Sequence, residues 1–520
     1  MRRGASHVTV AVSLSRVAGL VRERFFAHYL GTSDAADAFG AAFRIPTLME
    51  SVLGERVFSS AFIPRYSRLL AEGAQEEARR LAWVVGSIHA LIVTALVVAG
   101  VLSAPLLVGW IAPGFDAAKA DLTVRLVRLL FPAVGLLVVG AWCLGVLNSH
   151  RRFFLPYAVP ILSAVSITVA LALAGRTGRA NQVAVAAAWG ALVGAALQVA
   201  VQLPAVLALV GAPRAGVEDP QHLREVARNA GPATVRGLIG RLGTWVEVAI
   251  AGFVSTGALA LLNYSQLLYS LPVGLFTVAI SAALLPELSA ATADQATVAE
   301  RLRGPLDSAL RHTAFLLVAC AVAFITLGDV IAAAVYQGGQ FTSEDARFVW
   351  AILGASSVGL VGASMGGLHA TAFYALGDAM TPLKASVWRL ALRGVVGAVL
   401  AVPVVRWLGI DARWGAAGLG AALGVSGWVE FLLLRRWLDR RLGWTRPPGF
   451  VALLLKLWGI AALAAAAAWG VKLAVAPVGP ILRAAVVLGT YGVIYLGVTT
   501  WAGVREAHTV WNQLRAWARL

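Results

Sequence analysis

The chain has 520 residues, of which 59% are hydrophobic and only 13% are charged. Soluble proteins carry about 25% charged residues, so this composition argues against a soluble globular fold and predicts a polytopic membrane protein. The net charge of +17 favours membrane orientation over nucleic-acid binding, because the arginines lie in short loops between apolar segments. Cys143 and Cys320 lie in apolar runs without metal-ligand spacing, and we interpret them as core residues.

In chain order, about fourteen apolar segments are long enough to cross a bilayer. Their approximate limits are 6–29, 34–62, 82–111, 122–148, 155–174, 182–211, 229–255, 257–285, 312–336, 346–376, 383–407, 413–436, 449–473 and 480–503. Alternate loops are rich in arginine, with the loop near residue 176 as an exception. This bias predicts that both termini lie in the cytoplasm, which requires an even number of spans.

A faint internal repeat suggests how these spans are grouped. "VFSSAFIPRYSRL" (57–69) resembles "AISAALLPELSAA" (279–291), although chance similarity between apolar helices could also explain the match. The repeat predicts two six-helix lobes, a common arrangement in transporters. The predicted division is 1–225 for the first lobe, 226–440 for the second, 441–503 for two additional helices and 504–520 for an amphipathic tail on the cytoplasmic membrane surface.

Charged residues interrupt four of the predicted spans. They are Arg16, Arg22, Glu23 and Arg24 in the first span, Asp37, Arg44, Glu50 and Glu55 in the second, Arg236, Arg241 and Glu247 in the seventh, and Arg389 and Arg393 in the eleventh. Charges at membrane depth usually face a cavity or a partner. We expect the midplane residues Arg16, Arg44 and Arg241 to line a cavity.

Other roles remain open for the remaining charges. Arg24, Arg236 and Arg389 could extend to the membrane interface, and Arg22 with Glu23 could form a structural ion pair. Glu50 and Glu55 fit structural partners better than ligand contacts. Arginine itself indicates the ligand class, because its donor geometry matches two phosphate oxygens at once. The cluster therefore favours a phosphate or pyrophosphate over a neutral sugar or a cation.

Several motifs resemble the MurJ/MviN family, whose members are flippases for the peptidoglycan precursor lipid II. The motifs are "SRVAGLVRERFFAHYLGTSDAADAFGAAFRIP", "APGF", "LLPELS", "YQGGQFTSEDA" and "FYALGDAMTPLKAS", and the resemblance extends over about residues 10–440. It implies a fourteen-helix transporter of the multidrug/oligosaccharidyl-lipid/polysaccharide superfamily, with two lobes around a central cavity. It also implies that lipid II is flipped from the inner to the outer leaflet by alternating access, without catalysis or a cofactor.

The resemblance assigns roles to individual residues. Arg16 and Arg22 match a pair that binds pyrophosphate, while Asp37 and Glu55 match acidic positions of the second helix. Arg44 stands at a basic position just before the "IP" turn that contains Pro46. We expect Arg16, Arg22, Arg44, Arg241 and Asp37 to bind substrate, and Glu23, Glu55, Glu247, Arg393 and Pro46 to have structural or gating roles.

Two departures from the family pattern bear on these roles. Leu267 stands where relatives have a cavity arginine, and we hypothesise that Arg241 supplies the missing charge. Arg393 and Gly397 stand where some relatives hold sodium. A guanidinium there could pair with Glu247 instead, so we predict no bound metal and no sodium dependence.

Three alternative functions remain open at this point. The departures are compatible with a flippase for another polyprenyl-pyrophosphate-linked glycan. A transport-inactive scaffold would bind cell-wall synthesis proteins as partners. A membrane-embedded enzyme is disfavoured, because no predicted outer loop much exceeds about ten residues and enzymes of this kind tend to carry their catalytic groups in a large outer loop.

Overall fold

The structure, a computed structural model, describes residues 2–176, 178–212, 220–291, 298–443, 449–475 and 479–508. These residues form α-helices joined by short turns, and they divide into two compact units. The first unit comprises Met1–Ala260 with Gly338–Phe341, and the second comprises Leu261–Gln337 with Thr342–Leu520. The predicted lobe boundary at residue 225 stays a prediction.

The first unit contains twelve α-helices within the described ranges. They are α1 (Arg2–Leu30), α2 (Asp34–Arg44), α3 (Thr47–Leu53), α4 (Glu55–Val57), α5 (Ile63–Ala71), α6 (Gln75–Leu102), α7 (Ala104–Ile111), α8 (Ala117–Ser149), α9 (Phe154–Ala158), α10 (Pro160–Ala174), α11 (Ala180–Val210) and α12 (Pro220–Gly252). A π-helical turn, Phe58–Phe62, connects α4 to α5.

The second unit contains most of α13, which begins at the end of the first unit, and nine further helices within the described ranges. They are α13 (Ala258–Pro272), α14 (Val278–Ala291), α15 (Val298–Tyr336), α16 (Ser343–Ser357), α17 (Leu360–Ala375), α18 (Met380–Ala401), α19 (Pro403–Leu408), α20 (Gly415–Leu442), α21 (Phe450–Ala474) and α22 (Pro480–Trp501). A second π-helical turn, Val273–Thr277, lies between α13 and α14.

The predicted spans all coincide with helical segments. Among the described residues, ten helices are long and apolar enough to cross a membrane, or eleven if the pair α16 and α17, bent by 44°, counts as one span. The other predicted spans fall on α1, on α2 through the first π-helical turn, and on α12. These three segments carry most of the charges that the sequence placed at membrane depth, and the other two, Arg389 and Arg393, lie on α18. The chain is therefore an all-α, multi-pass membrane protein.

Some predicted spans are broken helices rather than continuous ones. The segment predicted as one span over 34–62 consists of α2, α3, α4 and the π-helical turn. Pro46 separates α2 from α3, because proline has no N–H to continue the helical hydrogen bonds and its ring crowds the preceding turn. Gly54 then ends α3 in an extended conformation. The predicted tail lies largely outside the described residues, which end at residue 508.

Aromatic packing fixes the end of the broken segment within the first unit. Phe62 and Tyr66 are both 1% exposed, and their rings stack at 4.9 Å. Trp142 of α8 packs in the same cluster and donates a hydrogen bond to the carbonyl of Ala82, at 2.9 Å. The helices that carry the cavity described below are thus held by an apolar core at one end.

Candidate functional site

A cavity of about 410 Å³ lies within the first unit. Its walls come from α1, the broken segment α2–α4, α8, the pair α9–α10, and α11. Most lining residues are apolar, and the polar ones are Ser15, Arg16, Arg22, Glu50, Glu55, Tyr157, Ser163, Gln198 and Gln202. A mainly apolar pocket with a few convergent polar groups is typical of a ligand site.

Arg16 and Arg22 both line this cavity from α1. Arg22 Nη2 lies 2.5 Å from Glu23 Oε1, and the two side chains are 31% and 23% exposed. Arg16 is exposed, and no carboxylate of the described residues lies within ion-pair distance of it. Arg16 is therefore available to an anion in the cavity, whereas Arg22 shares its charge with its neighbour.

Arg44 joins two helices of the first unit and is not among the cavity-lining residues. Its Nη1 lies 3.6 Å from Oε2 of Glu247 on α12, and the side chains are only 13% and 11% exposed. The predicted pairing of Glu247 with Arg393, which lies in α18 of the second unit, stays a prediction. In the arrangement described here, the Arg44–Glu247 pair contributes to the contact between α2 and α12.

Arg241 also joins α12 to the broken segment. Its Nε donates a hydrogen bond to Ser51 Oγ at 2.5 Å, and its Nη2 lies 3.6 Å from Glu50 Oε2. Glu50 is itself a cavity-lining residue and its side chain is 53% exposed. Arg241 therefore reaches the cavity wall through Glu50. Whether it replaces the arginine lost at Leu267 remains a hypothesis.

Asp37 lies outside the cavity lining, at 1% exposure. It accepts hydrogen bonds from Lys119 Nζ at 2.6 Å and from the backbone N–H groups of Gly257 and Ala260 at 2.7 and 2.8 Å. Gly257 has a φ of +82°, and a Cβ there would approach the carbonyl oxygen of Thr32 to 2.5 Å. This network holds α2, α8 and the start of α13 together.

Two other predicted residues lie along the broken segment. Glu55 begins α4, is exposed and lines the cavity. Pro46 stands at the break between α2 and α3. Its gating role stays a prediction.

Sequence reasoning missed three polar residues that the structure brings into view. Lys119 is 7% exposed and lies between the predicted spans 82–111 and 122–148, outside the charges at membrane depth. Gln198 and Gln202, at 7% and 4% exposure, line the cavity from α11. The sequence contained a signal for the two glutamines, because amides four residues apart in an apolar helix share one face. Polar side chains at membrane depth usually face a cavity or a partner, since exposing them to lipid is costly.

Comparison with known proteins places the chain in a family. The family model for the lipid II flippase MurJ matches residues 26–485. The chain belongs to this family. Lipid II flippase MurJ of Burkholderia cenocepacia is 30% identical over 455 residues, which cover 86% of each chain. The probable lipid II flippase MurJ of Rhizobium meliloti is 31% identical over 87% of this chain and 83% of its own.

Solved structures agree on the fold. A lipid II flippase MurJ in an inward closed conformation aligns with a TM-score of 0.75 and 22% identity, covering 95% of this chain and 98% of that one. An inward-facing multidrug resistance transporter of the MATE family aligns with a TM-score of 0.66 and 16% identity, covering 84% of this chain and 98% of that one. The predicted family and fold class are confirmed.

Proposed function

We propose that this MurJ-family protein flips lipid II from the inner to the outer leaflet of a bacterial cytoplasmic membrane by alternating access. The observation that carries the proposal is the cavity in the first unit, which contains Arg16 without a carboxylate partner among the described residues. A guanidinium in an apolar chamber is a strong site for a phosphate oxygen pair. Membership of a flippase family supports transport rather than catalysis.

The first contacts with the diphosphate are assigned to Arg16 and Arg22. The Arg22–Glu23 pair is partly exposed, and pairs of this kind contribute only about 0–1 kcal/mol. A diphosphate can therefore displace Glu23 at small cost. The more buried Arg44–Glu247 pair is harder to exchange, so Arg44 is a later contact or a structural one. Asp37 is satisfied by internal donors and is left out of the binding set.

In this proposal the membrane potential drives the step that carries the charged headgroup across the membrane. Carrying a net charge across the membrane couples to the potential by about 2.3 kcal/mol per charge per 100 mV. The polyprenyl tail would stay in the lipid while the headgroup occupies the chamber.

The proposal places both termini in the cytoplasm. Single cysteines at residues 73 and 410 would test this orientation, because a membrane-impermeant thiol reagent should reach them from opposite sides of the membrane.

The decisive experiment measures lipid II at the outer leaflet of cells that rely on this protein alone. A membrane-impermeant enzyme that cleaves lipid II reports the exposed pool. We expect Arg16→Ala to reduce the exposed pool by about tenfold or more, since a hydrogen bond to a charged group contributes about 1.5–3 kcal/mol and about 1.4 kcal/mol corresponds to a factor of ten. Arg16→Lys should retain part of the activity, because it keeps the charge but not the two-pronged geometry.

Arg406→Ala is the matched control, because Arg406 is an exposed arginine on α19. Normal exposure of lipid II with Arg16→Ala would refute the assignment and favour a scaffold that binds wall-synthesis proteins. Failure of the wild-type protein to support cells depleted of their lipid II flippase would favour a different polyprenyl-pyrophosphate-linked glycan.

A further inference from the structure

A second pocket, with a mainly polar lining, lies in the second unit, far along the chain from the cavity arginines. It has a volume of about 630 Å³ and is formed by the first half of α15, the start of α21 and the segment that follows α22. This volume falls within the roughly 300–1,000 Å³ that is usual for small-molecule sites. Its basic side chains are Arg311, His312, Lys456 and Arg505.

The pocket lies at the boundary of three apolar stretches. Residues 313–328 of α15, 457–471 of α21 and 484–504 of α22 and its continuation contain no charged residue, and each stretch ends at the pocket. Leu455 and Trp501 beside it are 69% and 89% exposed. Exposed tryptophan at the end of a membrane helix is typical of the lipid headgroup level. The pocket therefore opens where phospholipid headgroups lie.

The basic groups keep donors free for an anion. Lys456 Nζ donates one hydrogen bond, to the carbonyl of Ala502, and so retains two further N–H groups. Arg311 uses its Nε for Asp307 Oδ2 at 2.8 Å, which leaves its two terminal nitrogens. Arg505 is exposed and has no ion-pair partner among the described residues. Basic pockets between transmembrane helices are known to bind lipid head groups.

The acidic residues of the pocket limit the kinds of ligand that fit it. Asp307 and Glu506 also line the pocket, and the Asp307 side chain is 27% exposed. Its largely buried Oδ1 has no hydrogen-bond donor among the described residues. A buried acceptor of this kind is costly unless a donor reaches it. A headgroup that carries a hydroxyl or an ammonium next to its phosphate supplies that donor.

We infer that this pocket binds the phosphodiester of a bilayer phospholipid whose headgroup also donates hydrogen bonds, such as phosphatidylglycerol or phosphatidylethanolamine. The phosphate contacts Lys456, Arg505 and the free nitrogens of Arg311, and the headgroup donor contacts Asp307. Phosphatidylcholine lacks such a donor and binds more weakly. This site is independent of the proposed transport of lipid II.

Binding of short-chain phospholipids to the purified, detergent-solubilised full chain tests the assignment. We expect phosphatidylglycerol to bind at least about tenfold more tightly than phosphatidylcholine, since one buried hydrogen bond accounts for roughly that factor. Lys456→Gln with Arg505→Gln should weaken phosphatidylglycerol binding by about tenfold or more. Asp307→Asn should reduce the preference over phosphatidylcholine.

The control variant carries Arg436→Gln and Arg440→Gln, which remove two exposed charges of α20 outside the pocket. Equal weakening by the control and the pocket variant would overturn the proposal, and so would equal affinity for the two lipids. Equally strong competition by sn-glycerol 3-phosphate would assign the pocket to a soluble anion instead. If the double variant does not fold, lipid binding is measured with Lys456→Gln alone, and its melting temperature shows whether this variant is folded.

Discussion

Charged side chains serve different purposes in two regions of this protein. Around the cavity of the first unit, Arg16 and Arg22 lie beside open space and are at least partly exposed. In the second unit, Lys472 is 8% exposed, lies 2.7 Å from Asp329 Oδ2 and sits 4.2 Å from the ring centroid of Trp469. A charged side chain beside a cavity remains available to a ligand. A charged side chain between packed helices is paired with its neighbours and stabilises the contact between those helices.

The largest stability effect is expected at Asp37. This residue belongs to the first unit, but it is buried in an ion pair between helices, as Lys472 is in the second unit. Asp37→Ala leaves Lys119 with only the more exposed Asp34 as a partner and removes the acceptor of two buried backbone N–H groups. The free energy of unfolding should therefore fall by about 3–5 kcal/mol. Thermal unfolding in detergent measures the change. Asp34→Ala is the matched control, because Asp34 also contacts Lys119 but its side chain is 52% exposed. An equal effect of the two substitutions would show that burial does not determine the cost.

The next largest effect is expected at Lys472. Lys472→Met removes the partner of Asp329, whose side chain is 24% exposed, so partial hydration should limit the loss to about 2–3 kcal/mol. Lys456→Met on the same helix is the comparison, because Lys456 is exposed. A melting temperature of Lys472→Met equal to that of Lys456→Met would contradict the structural role of the pair.

A smaller effect is expected for the Arg44–Glu247 pair. We expect a coupling of about 1–2 kcal/mol in a double-mutant cycle of Arg44→Gln and Glu247→Gln, because both side chains are mostly buried but 3.6 Å apart. Unfolding of the four proteins under one condition gives the coupling. A coupling energy near zero would mean that Glu247 does not hold Arg44. Arg44 would then join Arg16 and Arg22 as a first contact with the substrate.

The smallest stability effect is expected for Arg16, which has no ion-pair partner among the described residues. Arg16→Ala should change the free energy of unfolding by less than about 0.5 kcal/mol even though lipid II exposure falls. Unfolding is measured on the purified variant in detergent, and lipid II exposure is measured in cells that produce the same variant. A large loss of stability would mean that Arg16 is structural, and the contrast between the two regions would then fail.

The sequence was sufficient for the fold class and for part of the cavity. Hydropathy located helices because a membrane span must satisfy its backbone internally, and intramembrane charge pointed to Arg16 and Arg22. The breaks within 34–62 were harder to predict, because a π-helical turn has no characteristic composition. Lys119 was missed because its burial depends on Asp37, 82 residues earlier in the chain. Local patterns cannot report such contacts.

Both units contain a π-helical turn ahead of a proline, Phe58–Phe62 before Pro64 and Val273–Thr277 before Pro286. In each turn the closing N–H, that of Ile63 or Val278, bonds five residues back. Each turn thus stores one residue more than an α-helical turn. Converting such a turn to an α-helical one would shift the helix by one residue and rotate the downstream part by about 100°. In two segments of this chain, a one-residue change is therefore sufficient to turn a side chain from one environment to another.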